Sequence, residues 1–146
     1  MATKIVETGE FSGWTYWDNE PFEAETVGPF YFRVDEAGPV AAFRAERRHM
    51  NAGGVVHGGC LMAFADFSLF AIAHTATDGY GLTVAFTSEF LAGAQQGARI
   101  EARGDILGGG RSITFVRGLV TTDGTPCLNF SGTIKRRSGP PAELSS

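Results

Sequence analysis

The chain has 146 residues, of which 43% are hydrophobic, so it is long enough for one domain with a substantial core and too short for two. Its formal net charge of -4 argues against nucleic acid as the main partner. Its two cysteines are too few for a disulfide framework, which favours a reducing compartment. Because the first residues carry no apolar export segment, the sequence predicts a cytoplasmic protein.

Residues 1–28 mix aromatic and polar side chains without a sustained period, which predicts an N-terminal helix or a packed arm. Two strand-like segments follow at residues 30–34 and 40–47. The residues between them, Glu36-Ala37-Gly38-Pro39, are typical of a turn. The two segments are therefore expected to form a hairpin.

Residues 47–59 contain two glycine pairs and an asparagine, which predict a shaped loop. The next segment, residues 60–77, is apolar on nearly all sides, which is typical of a helix surrounded by other structure. Asp66 near its middle would cost about 2.5 to 3.5 kcal/mol in a bilayer. The sequence therefore predicts a helix that is buried in protein and no association with a membrane.

After a turn predicted at residues 78–81, four strand-like segments recur at regular spacing. Glycine-rich turns separate them, and Asp123-Gly124 is a strong hairpin signal. The last residues, 138–146, have no periodicity and are predicted to be a disordered tail. The four segments are residues 82–91, 98–107, 111–121 and 126–136.

The predicted order is two strands, one long helix and four strands. A sheet of about five to six antiparallel strands must then cover one apolar helix. A curved sheet wrapped around a central helix meets this demand, and this α+β arrangement is the hotdog fold. We assign it to residues 29–137 as a single domain.

The segment from Asn51 to Gly59, with Asp66 following on the helix, carries the most functional information. An asparagine, a glycine-containing spacer, His57-Gly58-Gly59 and an acid about two turns into an apolar helix resemble the hotdog-fold acyl-CoA thioesterases of the phenylacetate-degradation (PaaI) and Them2-like family. The resemblance extends over about residues 30–136. It implies hydrolysis of an acyl-CoA thioester to a free acid and CoA.

The chemistry of thioester hydrolysis explains such a motif. Negative charge develops on the carbonyl oxygen, so hydrogen-bond donors aimed at that oxygen lower the barrier. The first amides of a helix lack intrahelical partners, and Gly58 and Gly59 would let the thioester approach them. A carboxylate must then attack the carbonyl or activate water, and Asp66 is the candidate for either role. The alternative for Asp66 is a hydrogen bond to neighbouring backbone.

The resemblance implies roles for three more residues. His57 would mainly shape the site, although it could also act as a general base. Asn51 would help to orient the carbonyl or the reacting group, unless it is only a turn residue. Thr83 would position the attacking water, and the alternative is a threonine that simply suits a strand.

Binding of CoA is expected at a second glycine-rich segment, together with Gly59. Gly109, Gly110, Arg111 and Ser112 resemble the family segment that contacts the nucleotide or pantetheine end. Arginine suits bidentate contact with phosphate, but a hairpin turn with a solvated arginine would have the same sequence. CoA would be part of the substrate, and no other cofactor is expected. The 12 phenylalanines favour an aromatic or medium-chain acyl group.

The sequence predicts no metal site, because its histidines do not pair with acids or cysteines in a zinc-type pattern. These histidines are His49, His57 and His74. In the family, two protomers join their sheets edge to edge, and each site combines the His-Gly-Gly loop of one chain with the helix acid of the other. The resemblance therefore implies a homodimer, or a homotetramer of two dimers.

Two other functions remain open at this point. One is a hotdog hydratase or dehydratase, in which His57 and Asp66 would form an acid-base pair, although the usual hydratase order of an aspartate shortly before a histidine is missing. The other is a non-catalytic acyl-thioester binding module, which would need the pocket but not the acid.

Overall fold

The computed structural model describes residues 3–74, 80–139 and 142–146. These residues form one antiparallel sheet of eight strands and one long helix. The elements in chain order are β1 Thr3–Ile5, β2 Thr15–Trp17, β3 Tyr31–Asp35, β4 Gly38–Arg44, α1 Gly58–Ala73, β5 Tyr80–Phe90, β6 Arg99–Gly109, β7 Ile113–Thr122 and β8 Thr125–Arg137. A π-helical turn, Phe22–Thr26, and a 3-10 turn, Arg47–His49, complete the regular structure.

The strand order in the sheet is β1-β2-β3-β4-β6-β7-β8-β5, with every neighbouring pair antiparallel. Helix α1 packs mainly against β4, β6, β7 and β8, so the sheet wraps around it. The prediction of a hotdog fold is confirmed. Strand β5, which follows the helix in sequence, ends the sheet and has β8 as its one neighbour among the described strands.

The predicted number of strands was too low. The expected five to six strands correspond to β3 to β8, whereas β1 and β2 lie within the arm of residues 1–28. Each has three residues, which is too short to show the two-residue alternation that marks a strand. The arm is held against the domain by aromatic packing. Trp17 stacks on Phe32 with ring centroids 4.5 Å apart and packs edge-on against Phe67 with ring centroids 5.0 Å apart.

The predicted hairpins are confirmed at both ends of the domain. Strands β3 and β4 pair with Asp35 opposite Gly38, so the turn is tighter than residues 36–39. Between β7 and β8, Asp123 and Gly124 have φ of 45° and 87°, as a hairpin turn with two positive φ angles requires. The predicted turn at residues 78–81 lies partly outside the described residues, and its last two residues belong to β5.

Helix α1 has 16 residues and is buried along most of its length. It packs close to the sheet because Gly132 on β8 has no side chain. A Cβ at Gly132 would overlap Leu69 Cδ1 and lie 3.1 Å from the Ala85 carbonyl oxygen. The predicted end of the helix, residues 75–77, lies outside the described residues. No helix in the described ranges is long and apolar enough to cross a membrane.

Candidate active site

The Asp66 carboxylate is the central polar group of α1. It lies on the less buried side of the helix, and Thr83 on β5 donates its hydroxyl to Asp66 Oδ1 at 2.6 Å. Burial raises the pKa of Asp66 above its ordinary value, and the hydrogen bond from Thr83 acts in the opposite direction. Asp66 is thus a desolvated acid with one donor that stabilises its ionised form, which is the chemistry of a base.

Asp66 and Thr83 open into a cavity of about 310 Å³. Gly81 allows Phe70 to form part of its wall, because a Cβ at Gly81 would lie 3.3 Å from the Phe70 ring and 2.8 Å from Ile134 Cγ2. The walls combine aromatic rings with carboxyl and hydroxyl groups. The lining residues are Trp17, Glu20, Glu23, Asp66, Phe70, Tyr80, Gly81, Leu82 and Thr83.

Two acids in this cavity were not predicted from the sequence. The arm brings Glu20 and Glu23 to Asp66, with Glu23 on the π-helical turn that follows β2. Burial, and then the charges of Glu20 and Asp66, raise the pKa of Glu23 to about 8. Burial and Asp66 also raise the pKa of Glu20. Nothing in the local sequence marks them, because acids in a segment without periodicity look like solvated surface residues.

The start of α1 forms a second cluster. His57 caps the helix, and its Nδ1 accepts a hydrogen bond from the Gly59 N–H at 2.8 Å. The Gly58 N–H has no hydrogen-bond partner among the described residues. A Cβ on Gly58 would lie 3.0 Å from Phe90 Cζ, so the missing side chain gives room to the ring that lies over the helix start. Gly58 is therefore the amide of this pair that is available to a carbonyl oxygen.

The loop before the helix is held by two polar side chains. Asn51 Oδ1 accepts hydrogen bonds from the N–H groups of Gly53 at 2.9 Å and Val55 at 3.2 Å, so it has the contacts of a turn residue. His49 is buried, and its Nδ1 accepts from the Glu46 N–H. Its Nε2 must then carry the proton and donate to the Val27 carbonyl oxygen at 2.8 Å.

The two clusters lie apart within one chain. Asp66 is eight positions after Gly58 on the same helix, and at 1.5 Å per residue this is about 12 Å. His57 and Gly59 line a different cavity of about 330 Å³, together with Arg48 and Cys60. A carbonyl bound at Gly58 is therefore out of reach of Asp66 in the same chain, and the two-chain site stays a prediction.

The segment predicted to bind CoA forms the turn between β6 and β7. Gly109 has a φ of 150°, and a Cβ there would overlap the Ile113 carbonyl oxygen. The Gly110 N–H donates to the same oxygen at 2.8 Å. Arg111 and Ser112 are exposed. These contacts are those of a hairpin turn, and contact with CoA stays a prediction.

The remaining titratable candidates do not join either cluster. His74 follows the last turn of α1 and packs edge-on against Phe32 with ring centroids 5.2 Å apart. Within the described ranges, no group of three or more histidines, cysteines, aspartates or glutamates could hold a metal ion.

Comparison with known proteins gives a family and a set of similar structures. Residues 53–128 match the family model described as the thioesterase superfamily. No curated protein matches the chain. The chain is 27% identical to the TT0310 protein from Thermus thermophilus, with a TM-score of 0.69, over 82% of this chain and 99% of that one.

Two further structures are similar. A mutant of the phenylacetic acid degradation protein PaaI from Thermus thermophilus is 29% identical with a TM-score of 0.68, over 81% of this chain and 100% of that one. A hypothetical thioesterase protein with coenzyme A from Streptococcus pneumoniae TIGR4 is 17% identical with a TM-score of 0.65, over 73% of this chain and 84% of that one. The similarity to the Streptococcus pneumoniae protein shows the fold alone. The match to the thioesterase family model and the similarity to PaaI confirm the resemblance to the PaaI-like hotdog thioesterases.

Proposed function

Because the chain belongs to the thioesterase superfamily, we propose that it hydrolyses acyl-CoA thioesters to free acid and CoA, with Asp66 as the reacting carboxylate. The observation that carries this proposal is the contact between Asp66 and Thr83 at the wall of a cavity of about 310 Å³. A buried acid is costly to the fold unless it is paired or serves a site. Here it has one hydrogen-bond donor and faces open space.

Asp66 acts on water as a general base in this proposal. Its raised pKa makes it a stronger base than an exposed aspartate, which suits it to take a proton from water. Thr83 occupies Oδ1 and leaves Oδ2 for the water. The Gly58 N–H and the positive end of the α1 dipole stabilise the oxyanion as the water adds. Collapse of the tetrahedral intermediate then breaks the carbon–sulfur bond.

The site is completed by a second copy of the chain. Strand β5 is an edge of the sheet formed by the described strands, and it has exposed apolar side chains, among them Leu82 and Val84 at 45% and 55% exposure. Such an edge favours pairing. Antiparallel pairing of β5 with its copy about Thr87, with the bulged residue Val84 left unpaired, places Thr83 of one chain opposite Phe90 of the other. Thr83 contacts Asp66, and Phe90 lies over Gly58.

This pairing therefore brings the acid of each chain to the helix start of the other and gives two sites per homodimer. A tetramer would contain two such dimers. His57 would then shape the oxyanion site through its cap on α1. Asn51 would hold the preceding loop through its contacts with Gly53 and Val55.

The cavity favours an aromatic or medium-chain acyl group, because rings of Trp17, Phe70 and Tyr80 form its apolar walls. The exposed Arg111 would contact phosphate of CoA, and Gly109 and Gly110 would form the β6–β7 turn that presents it. The hypothetical thioesterase protein from Streptococcus pneumoniae, which has the same fold and is described with coenzyme A, supports a ligand of this class. No cofactor beyond the CoA of the substrate is proposed.

The test compares wild type with Asp66→Asn on a panel of aromatic and aliphatic acyl-CoAs, with release of free thiol as the measurement. We expect a loss of about 10² to 10⁴ fold in kcat, the usual contribution of general base catalysis. Asp105→Asn is the matched control, because Asp105 is exposed on β6 and outside both clusters. It should retain the wild-type rate.

Circular dichroism and size-exclusion chromatography must show that Asp66→Asn keeps its fold and oligomeric state. Equal rates for wild type and a folded Asp66→Asn would remove Asp66 from the mechanism. Hydration of enoyl-CoA without any thiol release would identify a hydratase. Tight acyl-CoA binding without turnover would identify a binding module.

A further inference from the structure

The cavity at Asp66 contains more acid than one hydrolytic carboxylate requires. Glu20, Glu23 and Asp66 all line it, and none of its described lining residues is basic. Like charges in a partly desolvated space raise one another's pKa, which disfavours ionisation of all three near neutral pH. At least one of the three carboxyls therefore holds a proton under ordinary conditions.

The contacts identify which acid this is. Asp66 receives the Thr83 hydroxyl, which stabilises its ionised form. No hydrogen bond from a described residue reaches the carboxyl of Glu23 or of Glu20, so neither charge has comparable compensation. Of these two, Glu23 is the one on which both other acids act: burial, and then the charges of Glu20 and Asp66, raise its pKa to about 8. Asp66 is therefore the acid that ionises first, and Glu23 is the one that stays neutral.

The charged groups around the π-helical turn do not reverse this order. The Arg48 guanidinium donates to the carbonyl oxygens of Thr26, at 2.8 Å, and Gly28, at the end of the turn, and it lines the other cavity. Glu25 on the turn itself is exposed. On the β5 side of the cavity, Tyr80 is a lining residue, and Lys135 and Arg136 of β8 pair with Leu82 and Gly81. None of these three is among the groups that shift the pKa of Glu23.

We propose that Glu23 controls the charge of the hydrolytic cavity: it is protonated during turnover, and its ionisation stops the reaction. This inference rests on the proposed function. A neutral Glu23 leaves Asp66 as the base beside a thioester that is itself acquiring negative charge. A second carboxylate would oppose that charge at short range in a medium of low dielectric. Glu23 is thus a positioning residue that acts through the electrostatics of Asp66, without transferring a proton to the substrate.

The proposal predicts the shape of the pH–rate profile. For a group that must be protonated and has a pKa of about 8, the active fraction falls about tenfold between pH 7 and pH 9. The wild-type rate should fall by this factor, whereas Glu23→Gln, which is neutral at every pH, should show no such fall relative to its own rate at pH 7. Glu25→Gln is the control on the same turn and should keep the wild-type profile.

Hydrolysis is best followed by loss of the thioester ultraviolet absorbance, with spontaneous hydrolysis subtracted, because thiol reagents change their own response with pH. A second measurement does not depend on activity. In protein labelled with carbon-13 at the glutamate carboxyls, NMR should show one carboxyl that titrates near pH 8 in wild type and is missing in Glu23→Gln.

The outcomes separate this proposal from the function on which it rests. If wild type hydrolyses acyl-CoA and Glu23→Gln keeps the same alkaline fall, the role of Glu23 is overturned and the thioesterase function stands. A wild-type NMR titration with every glutamate below pH 6 also overturns it. If wild type hydrolyses no acyl-CoA, the proposed function and this role in turnover both fail, even where the NMR titration shows a protonated Glu23.

Discussion

Replacing Thr83 with valine isolates the one hydrogen bond that favours ionised Asp66. Thr83→Val keeps the shape of the side chain and removes the hydroxyl that donates to Asp66 Oδ1 at 2.6 Å. Burial already raises the pKa of Asp66, and without the donor nothing in this pair opposes that effect. A hydrogen bond to a charged group contributes about 1.5 to 3 kcal/mol. At about 1.4 kcal/mol per pKa unit, the pKa of Asp66 should rise by about one to two units.

The direction of the effect on activity follows from the role of Asp66 as a base. Only the ionised carboxylate can take a proton from water, so kcat/KM rises with pH through the pKa of Asp66. Thr83→Val should therefore move the acid limb of the kcat/KM profile upward by about one to two pH units. Acyl-CoA hydrolysis measured by thioester absorbance from pH 4 to pH 9 would detect a shift of this size.

Thr87→Val is the matched control, and size-exclusion chromatography must show that it keeps the wild-type oligomeric state, because Thr87 lies in the proposed β5 pairing. Thr87 lies on the same strand, is exposed, and bonds to the Ser131 hydroxyl at 2.9 Å instead of to Asp66. It should leave the acid limb in place. An acid limb in Thr83→Val that coincides with wild type would refute the argument that Thr83 sets the pKa of Asp66. A loss of the same factor at every pH would instead indicate that Thr83 positions the water.

Two further predictions test the packing of the helix and the two-chain site. Gly132→Ala should lower the free energy of unfolding in urea by about 1 to 3 kcal/mol, because its Cβ would overlap Leu69. Gly108→Ala is the control and should lower it little, because a Cβ there meets no atom within 4 Å. Equal losses of stability in the two variants would contradict this account. Asp66→Asn and Gly58→Val should each be inactive alone, yet co-expression should restore hydrolysis, because one site of the mixed dimer keeps both residues. Co-expressed chains that form mixed dimers without activity would place the whole site within one chain.

The sequence predicted the elements that its local chemistry determines. Asp123-Gly124 has few conformations other than the hairpin turn it forms, and the glycine-rich breaks separate segments long enough to show strand character. The buried helix followed from an apolar segment with a single acid. Strands β1 and β2 could not be found in this way, because they depend on Trp17 packing against Phe32 and Phe67, which are distant in sequence.

The residues of the candidate site also divide into those that the sequence marks and those that only the folded structure brings together. Asp66 stands out in the sequence because a charge in an apolar helix is costly, and the resemblance to thioesterases indicated Thr83, whose contact with Asp66 the structure shows. Glu20 and Glu23 gave no signal, because their burial arises only when the arm folds against α1. Asn51 was open between two interpretations, and its contacts within the loop are those of a turn residue.

Desolvation raises the pKa of both acids of the proposed mechanism, and the Thr83 hydroxyl makes their two pKa values differ. Burial raises the pKa of Asp66 and of Glu23, but among the described residues a hydrogen-bond donor opposes this effect at Asp66 and none does so at Glu23. Turnover requires Asp66 ionised and Glu23 protonated, so the pH range of activity lies between their two pKa values. Thr83→Val should narrow that range from its acid side, and Glu23→Gln should remove its alkaline limit. Because the two changes act on opposite limbs of the pH–rate profile, the double variant should show both shifts. If either single variant moved both limbs, the two acids would titrate as a coupled pair.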